Sequence, residues 1–351
     1  MGAVPQVTYK REETIDGVFY EVYRSTKGNR GFSIDEKTDG CFAFVAGKNV
    51  TRQTMSYEKD FADYCKVNEA NYMGMTPALL AEETGKDVYV VYSPDVSMPK
   101  TWNPFKRIWN FFTKFGLTNE KVEAMHAKAL VEITSGKQCT PIYHSYANSV
   151  ATGMRSKTYR EQIFGGKEDN LMSPVYIGPF TNPKDVLTIK SGEKEGQQMK
   201  LRIGIGKWTM YERDWYDIFK SANGTALTVP AYVFAKQELH DNPNDKRKVK
   251  AWAPTPWVNL GSASHIYQTD LLEAAQSIEL GDLVDESPLG IVTMHDNISS
   301  PDVQRQILEA MGAKVVNLES GHRPFTHRVH ARTLIAKFEK QHRENLERLS
   351  A

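Results

Sequence analysis

Apolar and polar residues alternate with period two near the start of the chain, where Val18, Tyr20 and Val22 fall on one face of Ile15-Asp-Gly-Val-Phe-Tyr-Glu-Val-Tyr23. With Val7-Thr-Tyr-Lys10 before it and Asp16-Gly17 as a turn signal, the stretch predicts a β-hairpin over 6–24. The pattern then changes. Gly40-Cys-Phe-Ala-Phe-Val-Ala-Gly47 and Lys86-Asp-Val-Tyr-Val-Val-Tyr-Ser-Pro-Asp95 are apolar runs without alternation, as expected of strands covered on both faces. Between them, Thr76-Pro-Ala-Leu-Leu-Ala-Glu-Glu-Thr-Gly85 has a capping threonine, a proline at the first helical position and a glycine stop, and predicts a helix. Strand, helix and strand in this order imply a parallel pair with a right-handed crossover.

The same alternation of elements continues. Asn119 to Gly136 predicts a helix with Val122, Met125, Ala129 and Val131 at roughly helical spacing, and Thr140, Ile142 and Tyr143 form a short β-prone run that stops at His144-Ser145. A helical segment from Ala147 to Arg155 follows at once, and Ser173-Pro-Val-Tyr-Ile-Gly-Pro-Phe180 is a further buried strand. Near the end, a helix over 269–280, a strand ending at Asp296, a helix over 301–311 capped by Gly312, a strand stopping at Gly321-His322 and a long closing helix from Phe325 are expected. Between about 186 and 270 the composition shifts to charged, Gly- and Pro-punctuated sequence interleaved with aromatic patches that hold Trp208, Trp215, Trp252 and Trp257. Aromatic walls with mobile connections suit a cover over a pocket, so this stretch reads as an inserted cap or lid. The aromatic cluster of 97–118, with Trp102, Phe105 and Trp109, reads as core or lid packing.

Composition narrows the function classes. A chain of 351 residues with 40% hydrophobic and 25% charged residues supports a sizeable core, and its net charge of +1 gives no electrostatic reason to expect nucleic acid or an acidic membrane as partner. The first residues lack the apolar core of a signal peptide and no apolar run approaches the length of a bilayer span, so a soluble, cytoplasmic protein is expected. Cys41, Cys65 and Cys139 show no C-x-x-C spacing and fit neither a disulfide framework nor a zinc site; no metal and no cofactor is expected.

The candidate chemistry lies at His144-Ser145. A serine on a sharp turn between a strand and a helix has its hydroxyl pushed out at the carboxyl end of the strand, where a base can reach it and a helix N-terminus favours developing negative charge. Small residues usually stand two before and two after such a serine. Here those positions hold Tyr143 and Ala147, and the competing reading of Ser145 is an ordinary helix N-cap. Cys139 is a poor rival nucleophile, lying six residues back along the strand and roughly 20 Å from its end. Gly204-Ile-Gly-Lys207 lacks the spacing of a phosphate loop.

Taken together, Gly290-Ile-Val-Thr-Met-His-Asp296, the helix after it, Ala313-Lys-Val-Val-Asn-Leu318 and Gly321-His322 resemble the closing unit of an α/β-hydrolase. The order Ser145, Asp296, His322 is that family's order of nucleophile, acid and base. Val45-Ala-Gly47-Lys48 sits where the family has its oxyanion loop, with Ala46 in place of the usual histidine, and Tyr92-Ser-Pro-Asp95 resembles the turn after the next strand. The resemblance implies a mostly parallel eight-stranded sheet flanked by helices, a core over 1–185 and 271–351, and a lid over 186–270. It also implies a serine hydrolase that cleaves an ester, thioester or small amide, with backbone N–H groups of Tyr146 and Lys48 as oxyanion hole. Gly47, Trp208 and Trp215 would line a site for a small molecule with an apolar or aromatic acyl group. Asp185, after the 175–178 strand, is the alternative acid. His144 is expected to pack away from Ser145, His295 to stand behind the site, and His327 and His330 to be solvated on the closing helix. A non-catalytic binding protein of this fold, or an acyltransferase with the same triad, are the rival functions.

Overall fold

The structure, a computed structural model, describes residues 6–14, 16, 18–26, 40–47, 76–92, 119–179, 270–296, 299–322, 324–326 and 328–350, together with strand backbone within 200–259. Its centre is one sheet built from β1 (Val7–Glu13), β2 (Phe19–Ser25), β3 (Cys41–Val45), β4 (Asp87–Val91), β5 (Cys139–His144), β6 (Val175–Ile177), β7 (Leu289–Thr293) and β8 (Lys314–Leu318). The strands lie in the order β1-β2-β4-β3-β5-β6-β7-β8. β2 pairs antiparallel with both its neighbours and every other pairing is parallel, so seven strands share one direction. The expected mostly parallel eight-stranded sheet is what the chain forms.

Period two along the central strands decides where the helices go. On β3, Cys41, Ala43 and Val45 face one side and Phe42 and Phe44 the other, all fully buried. The first side is covered by α2 (Asn119–Thr134), α3 (Ala147–Met154), α4 (Lys157–Phe164), α5 (Leu271–Gln276) and α6 (Pro301–Ala310). On the second side, α1 (Thr76–Thr84) and α7 (Arg328–Ser350) bury Leu80, Leu334, Ile335 and Phe338 against Phe42, Phe44 and Ile142. Chain direction across the sheet reverses here: β3 connects through α1 to β4 on one flank, and β4 returns past β3 to β5 on the other. Open α/β sheets place ligands at the carboxyl edge beside such a reversal, and Gly47 and Ser145 follow the two strands that flank it.

Three boundaries differ from the sequence reading. α4 was not expected, although Ser156 caps it by accepting from Tyr159 N–H and Gly165, at φ 56, ends it. The helix expected over 269–280 is shorter, running from its Asp270 cap to Gln276, because residues 280–284 turn away: Leu283 bridges Ser156, and Val284 N–H donates to Arg155 O at 2.9 Å. The closing helix begins at Arg328, after a 3-10 turn over Pro324–Thr326.

β6 and β7 pair directly although residues 178–288 lie between them in the chain. Within that span, Lys200–Ile205 pairs with Trp208–Asp214 and Ala231–Tyr232, and two shorter ladders join Thr228–Val229 to Val258–Asn259 and Glu238–Leu239 to Val249–Lys250. All three are separate from the eight-stranded sheet. No helix among the described residues is long and apolar enough to cross a membrane.

Candidate active site

At the carboxyl end of β5 the backbone of Ser145 takes φ 57, the left-handed region, and it is the only non-glycine residue to do so among those described. Such a conformation costs about 1–2 kcal/mol for a residue with a Cβ. Neighbouring structure holds it there: Ser145 N–H donates to Ile177 O of β6 at 3.1 Å, and the Asn148 side-chain amide donates to Ser145 O at 2.7 Å and to Ile177 O at 3.3 Å. The N-cap of α3 is Tyr146, in right-handed helical conformation and without a side-chain cap bond. Ser145 therefore does not act as the ordinary N-cap of the competing reading, and its hydroxyl is turned out of the strand.

Tyr143, two residues before, fits because of what surrounds it. Its ring lies on the α3 side of the sheet beside Tyr176, its register partner on β6, with centroids 6.1 Å apart. Ala147 and Ala151 on α3 leave room for it there. The bulk that departs from the usual pattern is thus directed under the helix, away from the turn.

The Ser145 hydroxyl meets a histidine. His322 Nε2 lies 2.9 Å from Ser145 Oγ, and His322 Nδ1 lies 2.7 Å from Asp296 Oδ2. A carboxylate accepts, so Nδ1 carries the proton and Nε2 is left to accept from the serine. All three residues are nearly inaccessible, Ser145 at 6%, Asp296 at 5% and His322 at 7% exposure, which keeps water from weakening the contacts. The structure thus brings together the three residues singled out as nucleophile, acid and base.

Asp296 is fixed from several sides. Its Oδ2 also accepts from Gln304 Nε2 at 2.9 Å and lies 2.8 Å from Thr293 Oγ1, and its Oδ1 accepts from Ser299 N–H at 3.1 Å. Gln304, on α6, further donates to Ser299 O at 2.9 Å and accepts from Thr293 N–H at 2.9 Å. One fully buried amide therefore braces the end of β7, the turn after it and the carboxylate. Sequence reasoning did not single out Gln304, yet it stands in register with Ile307, Leu308 and Met311 on the buried stripe of its helix, and a polar residue there was the available signal. Gly178 was also missed. At φ +47, a Cβ on it would come 3.2 Å from Thr293 Oγ1 and 3.6 Å from Asp296 Oδ2, so glycine is what lets the chain after β6 pass this close to the acid.

The remaining candidates are placed as follows. Gly47 is buried just past β3, and Tyr146 is nearly buried with its hydroxyl donating to Glu123 Oε1 at 3.2 Å. Lys48, Asp185, Trp215 and His327 lie outside the described residues, as does the side chain of Trp208. His295 pairs with Glu319 at 2.9 Å, and His330, expected to be solvated, is half-buried in the first turn of α7. Cys139 opens β5, at the end of the strand opposite Ser145. Burial pushes its thiol well above the ordinary value, the reverse of an activated nucleophile. Among the described residues no group of three His, Cys, Asp or Glu side chains is placed to hold a metal ion.

The sheet order and the two helical layers are those of the α/β-hydrolase fold, which this chain has. It is similar to a soluble variant of monoglyceride lipase from Saccharomyces cerevisiae, solved in complex with a substrate analog, at 10% identity over 98% of this chain and 97% of that one, with a TM-score of 0.53. An esterase domain from Rhodothermus marinus matches at 10% identity over 97% of this chain and 99% of that one, with a TM-score of 0.46. No protein-family model matches the chain, and neither does any curated protein.

Proposed function

We propose that the chain is a serine hydrolase that cleaves a carboxylic ester, a thioester or a small amide through an acyl-enzyme on Ser145, with His322 as base and Asp296 as the acid that orients it. The observation that carries this reading is the continuous Ser145, His322, Asp296 hydrogen-bond chain of 2.9 and 2.7 Å. As Ser145 Oγ bonds to the substrate carbonyl carbon, its proton passes to His322 Nε2, and Asp296 stabilises the imidazolium that forms. The imidazolium then protonates the leaving oxygen, sulfur or nitrogen as its bond to carbon breaks. Water repeats the sequence: His322 takes a proton from it, its oxygen bonds to the acyl carbon, and Ser145 leaves with the proton restored. The backbone N–H groups of Tyr146 and Lys48 serve as oxyanion hole, at about 3 kcal/mol of transition-state stabilisation per donor.

In this reading 186–270 is the lid over a core made of 1–185 and 271–351, and Gly47, Trp208 and Trp215 line a site for a small substrate with an apolar or aromatic acyl group. The yeast neighbour, a lipase bound to a substrate analog, supports an ester-cleaving role. A fluorophosphonate probe tests it: label is expected on Ser145 and absent from Ser145→Ala. A folded wild-type protein that takes no label would sink the catalytic reading and leave a binding protein of this fold. Product analysis with and without an added alcohol or amine then separates hydrolysis from acyl transfer to an acceptor.

A further inference from the structure

His144, the last residue of β5, and Ser145, which follows it, bond to the two ends of one histidine. Ser145 faces the ring of His322, as described, while His144, fully buried and directed to the opposite side of the strand, has its Nε2 2.8 Å from the main-chain carbonyl oxygen of His322. A carbonyl oxygen only accepts, so His144 Nε2 is the donor. Its ring is held in turn: Phe325 packs edge-on at 5.0 Å and the His322 ring lies at 5.1 Å. Among the described residues, the turn that carries His322 is tied by Ser320 N–H to Leu318 O at 2.8 Å, by His295 N–H to Ser320 O at 3.0 Å and by Thr76 Oγ1 to Phe325 O at 3.1 Å, none of them a bond to His322 itself.

We infer that His144 is a positioning residue for the base. By anchoring the peptide of His322 to the strand whose next residue is Ser145, it fixes where the imidazole pivots, and so sets the Nε2 to Oγ distance across segments far apart in sequence. The inference rests on the serine-hydrolase reading and adds a residue that reaches the reaction only through another. Small displacements weigh heavily here, since a shift of about 1 Å in a reacting group costs on the order of a hundredfold in rate.

Three variants test it. His144→Gln keeps a donor at about the reach of Nε2, His144→Leu keeps bulk without a donor, and His144→Asn has a donor too short to reach. With a p-nitrophenyl ester, His144→Leu and His144→Asn are expected to lose about tenfold to a hundredfold in kcat and in the rate of fluorophosphonate labelling, with KM little changed, and His144→Gln to recover most of the loss. Folding of each is followed by circular dichroism, and His144→Asn carries the test where the leucine variant does not fold. Wild-type rates in His144→Leu or in His144→Asn would overturn the inference, and so would a His144→Gln as impaired as either of them. A wild type that neither labels nor turns over would instead overturn the enzymatic reading. In that case the Nδ1–H proton resonance of His322 decides the positioning: a signal perturbed by His144→Leu and restored by His144→Gln supports it, and an unmoved signal overturns it.

Discussion

A single hydroxyl becomes a candidate nucleophile here through the side chains behind it more than through its own identity. Gln304 is the clearest case, because its amide is bonded to the acid, to the turn after the acid and to the strand before it. Gln304→Leu removes a donor from Asp296 and an acceptor from Thr293 N–H. It is expected to cost about 2 kcal/mol in a urea titration and about tenfold or more in kcat for an ester, with KM little changed. Gly178→Ala places a Cβ against Thr293 and Asp296 at a positive φ, and is expected to cost about 1–2 kcal/mol, read by the same titration. Ser145, Asp296 and His322 are legible in the sequence because each closes a β-prone run, and strand ends of a parallel sheet meet at one edge. The fit of Tyr143 is not legible, since it depends on Ala147 and Ala151 of the next helix and on a cross-strand tyrosine 33 residues away in sequence. Nor is the bond from His144 to His322, which joins residues 178 apart.

Among the elements, α4 was missed because its composition conceals it. Of Lys157-Thr-Tyr-Arg-Glu-Gln-Ile-Phe164, only Arg160, Ile163 and Phe164 are buried, too few for a convincing apolar stripe in eight residues. Its punctuation was legible: Ser156 stands before it and Gly165-Gly166 after it. That cap is also a joint. Ser156 Oγ bonds to Asp282, whose other oxygen accepts from Thr158 N–H at 2.9 Å, so the start of α4 is tied to the segment leading into β7. Ser156→Ala is expected to destabilise the fold by about 1 kcal/mol, measured by thermal or urea unfolding. The closing helix shows the opposite balance. Its apolar stripe of Ala331, Leu334, Ile335 and Phe338 is plain in the sequence, whereas Gln341, His342 and Asn345 continue the same buried face as polar residues. They are accommodated because His342 and Asn345 bond to Thr140 of β5, and Asn345 also to Ser173 O at 2.9 Å.

For the molecule as a whole, the ionisable groups in the core set how it responds to acid. Burial pushes the imidazole of His126, on α2, down to about 4 from an ordinary 6.5. The unfolded chain therefore takes up a proton near pH 6.5 that the folded chain refuses until about pH 4. Stability is expected to fall as pH drops through that window, by roughly 3 kcal/mol from this residue. Urea titrations of wild type and His126→Leu at pH 7 and pH 4.5 would show the smaller pH dependence in the variant. Arg160 is a further charged group held inside: it bonds to Glu286, to Asp169 at 2.9 Å and to Leu171 O at 2.5 Å, joining α4 to residues 169–171 and to the segment before β7. Glu286→Leu leaves that guanidinium short of a partner and is expected to cost about 3 kcal/mol on denaturation. Finally, the direct pairing of β6 with β7 means that the sheet closes over whatever the chain does between them. Doubling such a connection adds only about 0.6 kcal/mol of closure entropy. What is inserted there can therefore lengthen or shrink at little cost to the sheet, whose β6 and β7 stay in direct register beneath it.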